Sequence, residues 1–339
     1  MSQHAEQPTD GRRFGKVGVL LGGSSSEREV SLRSGAAVLR ALQESGVDAH
    51  AFDPAQRSLG ELESAGFARV FLILHGRQGE DGAMQGVLET LRIPYTGSGV
   101  QASAIAMDKV TTKRLWVPEG IPTPAWRRVE RGAALPEDID TLGTALIVKP
   151  VSEGSTFGVT KIDAPDAGTP AARRAALRRG LDEALDIALR YDGAALIEER
   201  ILGRELTCAV LGEGAQARAL PLVEIRAPGA NYDYHNKYFG NDTQYLCPAP
   251  LDAALSAHIQ DVCVQAYRAV GARGWGRIDV MLREGPAGPS PCLLELNTAP
   301  GMTDHSLVPM AARAHGMDFT QLVLHILEAA RLDGQEPPA

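Results

Sequence analysis

A buried-type strand that stops at a glycine pair and hands over to a long helix restricts this chain more than any other pattern in it. Residues 16–21 (KVGVLL) form a short β-branched run ending at Gly22-Gly23. Ser26 follows, with Glu29 three positions on, the S-x-x-E order of a capping box, so a helix is expected from there to about Ser45, before Gly46. Further strands are expected at 48–52 and 70–74, and another helix at 82–91. Strands of this apolar kind alternating with helices call for a parallel sheet covered on its faces, so the region is a parallel α/β layer.

Beyond residue 101 the character changes to α+β. A helix carries Met107-Asp108-Lys109, and the proline-broken IPTPAW (121–126) reads as a connector. A strand at 145–150 holds Lys149 near its end and runs into SEGSTFG (152–158). A helix is expected at 171–190, strands at 196–199, 205–211, 276–282 and 291–296, a long polar loop at 231–242, and a last helix from about Phe319. The chain divides into regions 15–101, 102–201 and 202–333, between a disordered leader (1–14) and a flexible tail (334–339).

The 339 residues carry a formal charge of −8, which argues against nucleic acid as the main partner. Cys208, Cys247, Cys263 and Cys292 are scattered without C-x-x-C spacing, so reduced thiols are expected rather than a zinc site or a disulfide framework. No apolar run approaches the ~18 residues of a membrane span, and residues 1–13 lack the apolar core of a secretory signal. A cytoplasmic protein with no membrane partner is the expectation.

Strand side chains alternate, so Arg277 and Asp279 share one face, as do Glu295 and Asn297, while Ile278, Val280, Leu294 and Leu296 take the core side. On adjacent strands these residues would gather two carboxylates, an amide and a guanidinium, and hard oxygen ligands of this kind suit Mg²⁺ beside a nucleotide phosphate. A salt-bridged sheet surface is the plainer alternative, but the run into Thr298-Ala299-Pro300-Gly301 favours a ligand site. Lys149 with Glu153-Gly154-Ser155-Thr156-Phe157-Gly158 suits a phosphate cover, although a surface hairpin fits equally and the Walker order is absent. Glu27 lies in a first helical turn, where it either complements the helix dipole or holds a cationic amine. Three tyrosines and Lys237 in 232–238 read as a lid or an ordered surface loop. His75 follows a strand, at the ligand edge of an open α/β sheet. Trp116 and Trp126 read as packing residues.

Taken in order, GGSSSEREVSL, HGRQGEDGAMQG, YTGSG, MDK, VKP-x-x-EGS-x-x-G, YDYHNKY, GWGRIDVML and LLELNTAPGMTDHSLVPMAA closely resemble the D-alanine–D-alanine ligases of the ATP-grasp superfamily, over about residues 16–330. The resemblance implies an ATP-grasp fold: an N-terminal Rossmann-like parallel α/β domain, then a small lobe (102–201) and a large lobe (202–333) that clasp ATP. It implies Lys109 and Lys149 on ATP phosphates, and Glu198, Glu199, Ile201 and Glu205 around adenine and ribose. Asp279, Glu295 and Asn297 would ligate two Mg²⁺, with Mn²⁺ as a substitute. Glu27 would hold the first D-alanine's amine in a network with Ser155 and Tyr238, with His75 nearby. Arg277 and the Gly301 N–H would stabilise the oxyanion, and Lys237 and Ser306 would hold the second D-alanine's carboxylate. The implied reaction runs through D-alanyl phosphate to D-alanyl-D-alanine for peptidoglycan, in a homodimer. Phe157 and Asp304 depart from the family pattern, and 131–143 and 163–173 read as surface insertions.

Two other functions compete. A D-alanine–D-lactate ligase shares the superfamily, but the Lys237-Tyr238 pair looks like the dipeptide-forming type. A dinucleotide-dependent oxidoreductase is suggested by VGVLLGG and Asp53, but G-x-G-x-x-G is absent and the Asp279/Glu295/Asn297 cluster would have no role. A non-catalytic binding protein on this fold would be expected to have lost some of these polar residues, and all are present.

Overall fold

The computed structural model describes residues 11–163, 169–228, 242–286, 288–303 and 305–335. Its first sheet is the expected parallel layer. Strand β1 (Lys16–Leu20) lies between β2 (Asp48–Phe52) and β3 (Arg69–Leu72), and both pairings are parallel. Helices α1 (Arg28–Glu44), α2 (Gly60–Ser64) and α3 (Ala83–Thr90) make the connections and cover. β1 buries one face against Val38 and Leu42 of α1, and on the other Leu20 meets Phe52, Leu72 and Leu88.

Two expectations fail here. The Ser26–Glu29 capping box does not form: α1 begins at Arg28 with Glu27 as N-cap and no side-chain cap bond. The serine that organises the turn is Ser25, whose Oγ accepts from the Glu27 N–H (3.2 Å) and donates to the His75 carbonyl (2.6 Å). Residues 11–14, expected in a disordered leader, are ordered. Gly11–Phe14 form a 3-10 turn and Phe14 is buried in the core, because an aromatic side chain gains more from burial than this short segment loses on ordering.

Helices α4 (Val100–Met107) and α5 (Lys109–Trp116) follow. The second sheet is antiparallel in the order β4-β7-β5-β6, from β4 (Trp126–Glu130), β5 (Ala145–Pro150), β6 (Thr160–Asp163) and β7 (Ala194–Glu199). Helix α6 (Pro170–Ala188), with Pro170 in its first turn and Thr169 accepting from the Ala172 N–H, covers it through Leu177, Leu181 and Leu185. The 131–143 segment is no mere surface insertion, since Ile139 and Leu142 enter this core.

The third sheet runs β11-β10-β8-β12-β13, with β9 added to β8. Its strands are β8 (Gly203–Leu211), β9 (Arg218–Ala219), β10 (Val223–Arg226), β11 (Gln244–Leu246), β12 (Trp275–Arg283) and β13 (Ser290–Asn297). Helices α7 (Ala253–Ala269), α8 (Leu307–Ala314) and α9 (Phe319–Glu328) pack around it, α9 through a full capping box between Asp318 and Gln321. Ala102, Ala106, Trp116 and Ile121 are buried with Leu206, Ile278 and Leu293, and Trp116 Nε1 donates to the Ala266 carbonyl at 3.0 Å. Residues 100–121 therefore pack mainly with the third sheet, with Val110 reaching Val151, Ala194 and Leu196 of the second, and the small lobe's main core starts at β4 rather than at 102.

The β12–β13 ladder pairs Asp279 with Glu295 but Val280 with Leu293. Leu294 is the extra residue of a β-bulge, and it is only partly buried while Leu293 takes the core place. The first and third sheets share one core, where Phe71 and Trp275 meet at 6.4 Å between ring centres.

Candidate active site

Beyond the bulge, the polar face of β12 and β13 keeps its expected order, with Arg277 opposite Asn297 and Asp279 opposite Glu295. Arg277 grips Asp279 through two hydrogen bonds of 2.7 and 2.8 Å, while Asn297 Nδ2 and Thr207 Oγ1 donate to the same carboxylate at 3.3 and 3.1 Å. Asp108 caps α5 by accepting from the Thr111 N–H (2.7 Å), which puts Lys109 in the first turn. Lys109 Nζ lies 3.3 Å from Glu295 and donates to the Glu153 carbonyl at 2.7 Å, so one lysine ties the carboxylate strand to the glycine loop. Asp279, Glu295 and the Asn297 amide present oxygen donors alone, which fits a hard divalent cation. Among the described residues no three His, Cys, Asp or Glu side chains could hold a metal unaided.

The lysine side of the site is more deeply buried. Lys149 Nζ lies 2.6 Å from one Glu198 oxygen, and Lys113 Nζ holds the other. Burial works against the charge of each group. At Lys149 the pull of Glu198 and Glu295 outweighs it and holds the ammonium above its ordinary value. At Glu198 Lys113 and Lys149 win, and the carboxyl is held below its ordinary value. At Lys113, with 0% exposure, burial wins and the value is lowered. Lys113 was not anticipated, although its place four residues after Lys109, on the same helix face, was the available signal.

Glu27, His75, Ser155, Arg277, Gly301 and Ser306 meet in one solvent-open cleft, which Glu295 and Asn297 also line. The buried Glu27 carboxylate sits against Gly154 so closely that a Cβ there would fall 2.1 Å from Oε2. Ser155 has φ +55°, and its buried Oγ has no hydrogen-bond partner among the described residues. A left-handed non-glycine backbone and an orphaned hydroxyl together mark a place built for a ligand. His75 Nδ1 meets the Ala299 carbonyl at 2.8 Å, and its Nε2 lies 3.4 Å from Ser34 Oγ, which accepts from the Met302 N–H at 3.0 Å. Ser306 Oγ accepts from the Thr303 N–H at 2.8 Å and stands beside Gly301. Ser34 and the buried Glu80, which lies 3.8 Å from His75, were not anticipated. Their roles come from tertiary contact, and neither stands out in its own segment.

The glycine loop is pinned from both sides. Ser152 N–H donates to Asp192 at 2.7 Å, and Arg77 of the first region donates to Glu153 at 3.0 Å. Phe157, the departure from pattern, packs 6.4 Å from the ring of Tyr191. Not every expected residue joins the clefts. Glu198 serves the lysine cluster, Glu199 pairs with Arg283 (2.9 Å), Ile201 is buried, and Glu205 lies partly exposed on β8. Lys237, Tyr238 and Asp304 lie outside the described residues. Asp53 is fully engaged by Arg28 and by the N–H groups of Gly23 and Ala55, which leaves no acid for the ribose of a dinucleotide.

A parallel α/β layer followed by two antiparallel sheets, with Lys109 and the carboxylate strand lining one cleft and Lys149 buried beside them on β5, is the architecture of the ATP-grasp class. The family models described as D-ala D-ala ligase N-terminus and C-terminus match residues 50–98 and 115–328. The chain is 54% identical over 328 residues to the D-alanine–D-alanine ligase of Methylibium petroleiphilum, spanning 96% of this chain and 98% of that one. It is 54% identical over 333 residues to that of Cupriavidus taiwanensis, spanning 98% and 97%. Among solved structures, D-alanine–D-alanine ligase from Bacillus anthracis matches with a TM-score of 0.78 at 32% identity, covering 92% of this chain and 96% of that one. The same protein complexed with ATP matches at 0.76 and 30% identity, with the same coverage. The chain belongs to the D-alanine–D-alanine ligase family.

Proposed function

We propose that this protein joins two D-alanine molecules at the expense of ATP, giving D-alanyl-D-alanine, ADP and phosphate, the dipeptide serving peptidoglycan synthesis. The observation that carries the proposal is the continuity of β13: Glu295 and Asn297 line both the Lys109 cleft and the Glu27 cleft. A phosphoryl donor on one side thus faces an amino acid on the other. Glu27 binds the ammonium of the first D-alanine and leaves its carboxylate towards Arg277. Lys109 and Lys149 neutralise the phosphates while the γ-phosphoryl passes to that carboxylate. The amine of the second D-alanine, held through Ser306, attacks the acyl phosphate, and phosphate departs. Arg277 and the Gly301 N–H meet the charge of the tetrahedral adduct, a contribution on the order of 3 kcal/mol for one such donor. Two Mg²⁺ (or Mn²⁺) bound at Asp279, Glu295 and Asn297 would supply further charge neutralisation and alignment of the phosphates. Closure of the glycine loop over Glu27 during turnover would keep water from the acyl phosphate.

Glu199, Ile201 and Glu205 surround adenine and ribose in this reading, Lys237 and Tyr238 belong to the lid, and Glu198 acts through Lys149. The lobes that clasp the nucleotide are the β4–β7 sheet and the β8–β13 sheet. No helix among the described residues is long and apolar enough to cross a membrane, and the reading is completed by a cytoplasmic homodimer, which light scattering would test. The decisive experiment mixes purified protein, ATP, Mg²⁺ and D-alanine, with and without D-lactate, and follows phosphate and product together. Dipeptide formed with equimolar phosphate supports the proposal. A preference for the D-lactate ester at neutral pH, or turnover independent of D-alanine, sinks it.

A further inference from the structure

The buried cluster of Lys113, Glu198 and Lys149 holds three charges in a space almost closed to water, with residue exposures of 0, 1 and 8%. Its sum is +1. A lone Lys149–Glu198 pair would sum to zero, and at 2.6 Å the carboxylate would claim the whole of the ammonium. Lys113 changes this by taking the second oxygen of the same carboxylate. We infer that Lys113 is a positioning residue for the phosphate site, engaging half of Glu198 so that Lys149 keeps a net positive charge to offer a polyphosphate. This inference rests on the nucleotide reading of the cleft given above.

The wiring around Lys113 supports it. Lys113 Nζ donates to Thr123 Oγ1 at 2.5 Å, and Thr123 Oγ1 donates to the Leu293 carbonyl at 2.8 Å. Leu293 is the core residue beside the β13 bulge, two positions before Glu295. Lys113 therefore joins β7, the 121–126 connector and the carboxylate strand, and it fixes where Glu198 presents its charge. A purely structural lysine is a poor explanation for such a place. A buried ion pair seldom stabilises more than apolar side chains of the same volume, and the second cation adds a further desolvation cost. In a site of low polarity the uncompensated unit of charge acts on an incoming anion with little screening.

The test measures equilibrium binding of ATP, tripolyphosphate and adenosine by calorimetry in the presence of Mg²⁺, for the parent protein, Lys113→Met and the double variant Lys113→Met/Glu198→Gln. Methionine keeps the length of the side chain and removes its charge. The single variant is expected to bind ATP and tripolyphosphate about tenfold more weakly, the order of one hydrogen bond to a buried ion, with adenosine unchanged. The double variant restores the sum to +1 and is expected to recover most of that loss. Unchanged phosphate affinity in Lys113→Met, an equal loss for adenosine, or a double variant no better than the single one overturns the inference. If Lys113→Met does not fold, the double variant, which buries no unmatched carboxylate, decides alone: weak tripolyphosphate binding in it refutes the idea. A parent protein that binds neither ATP nor tripolyphosphate instead refutes the nucleotide reading beneath it.

Discussion

Replacing Gly154 with alanine would put a methyl carbon 2.1 Å from Oε2 of Glu27, where ordinary contact begins near 3.4 Å. One of the two must retreat by about 1.3 Å, and neither retreat is harmless. Glu27 is buried between Gly76 and Gly154, so moving its carboxylate carries it away from the place where it would receive an ammonium. Lifting the loop instead pulls on Ser155 and on the Glu153 carbonyl that accepts from Lys109. Overpacking of this kind costs roughly 1–3 kcal/mol. Paid through loop closure rather than global stability, that is about a 5- to 150-fold loss in kcat/KM for D-alanine. Steady-state ADP release at saturating ATP measures it, with circular dichroism to confirm the fold. Gly154→Ala protein with parental kcat/KM would refute the argument that Glu27 and the loop meet in the working state.

Glu295→Ala is expected to reduce D-alanine-dependent ADP release nearly to background while leaving the thermal midpoint within a few degrees; substantial turnover at any Mg²⁺ concentration would remove Glu295 from the metal site. Arg77→Ala unpins the glycine loop through a half-exposed ion pair with Glu153, so at most about 1 kcal/mol is at stake; a rise of up to about fivefold in KM for ATP, shrinking in high salt, is the expected result, and an unchanged KM counts against the latch. Burial works against the charge of Asp53, but Arg28 and the N–H groups of Ala55 and Gly23 outweigh it, so its carboxyl lies below the ordinary carboxylate value. The stabilisation this gives is present above the unfolded value of about 3.9 and is lost as pH falls through the folded one. Asp53→Asn should therefore be less stable than the parent at neutral pH, with the gap in urea midpoints closing from about pH 5 downward; a gap that stays constant into acid would show that the charge is not what Asp53 contributes.

Much of the site could be read before folding because it lies on strands, where a period of two converts sequence into faces. Arg277, Asp279, Glu295 and Asn297 come together for that reason. The same rule misplaced Leu294, since a bulge adds one residue and nothing in LLELN announces it. The start of α1 was misread for a related reason: Ser25 and Ser26 are chemically alike, and only the carbonyl of His75, 50 residues away in sequence, selects the first. Ser34 and Glu80 are illegible because each owes its role to a partner on a distant element, and for Lys113 the spacing from Lys109 gives the helix face but not the partner. Lys113 meets Glu198 only after α5 and β7 have been brought together. Residues 100–121 look like the opening of a new region by sequence, yet Trp116 is satisfied by the Ala266 carbonyl, so packing joins them to the large sheet.

The core shared by the first and third sheets has a consequence for how the molecule comes apart. Phe71, Trp275, Leu220 and Val308 are buried in a single cluster, whereas Leu146 and Ile197 of the β4–β7 sheet form their own with Leu177 of α6. Three stretches of chain thus make two units of cooperativity. The β4–β7 sheet is tied to the remainder through Val110, Val151 and Leu196 and is expected to open at lower cost than the rest, but no comparable separation exists between the N-terminal layer and the sheet that carries Asp279. Native-state hydrogen exchange would accordingly resolve two free energies of opening. Glu27 and His75 on one side of the amino-acid cleft and Arg277 on the other lie within the single unit that does not divide, and the loop carrying Ser155 reaches them from the β4–β7 sheet.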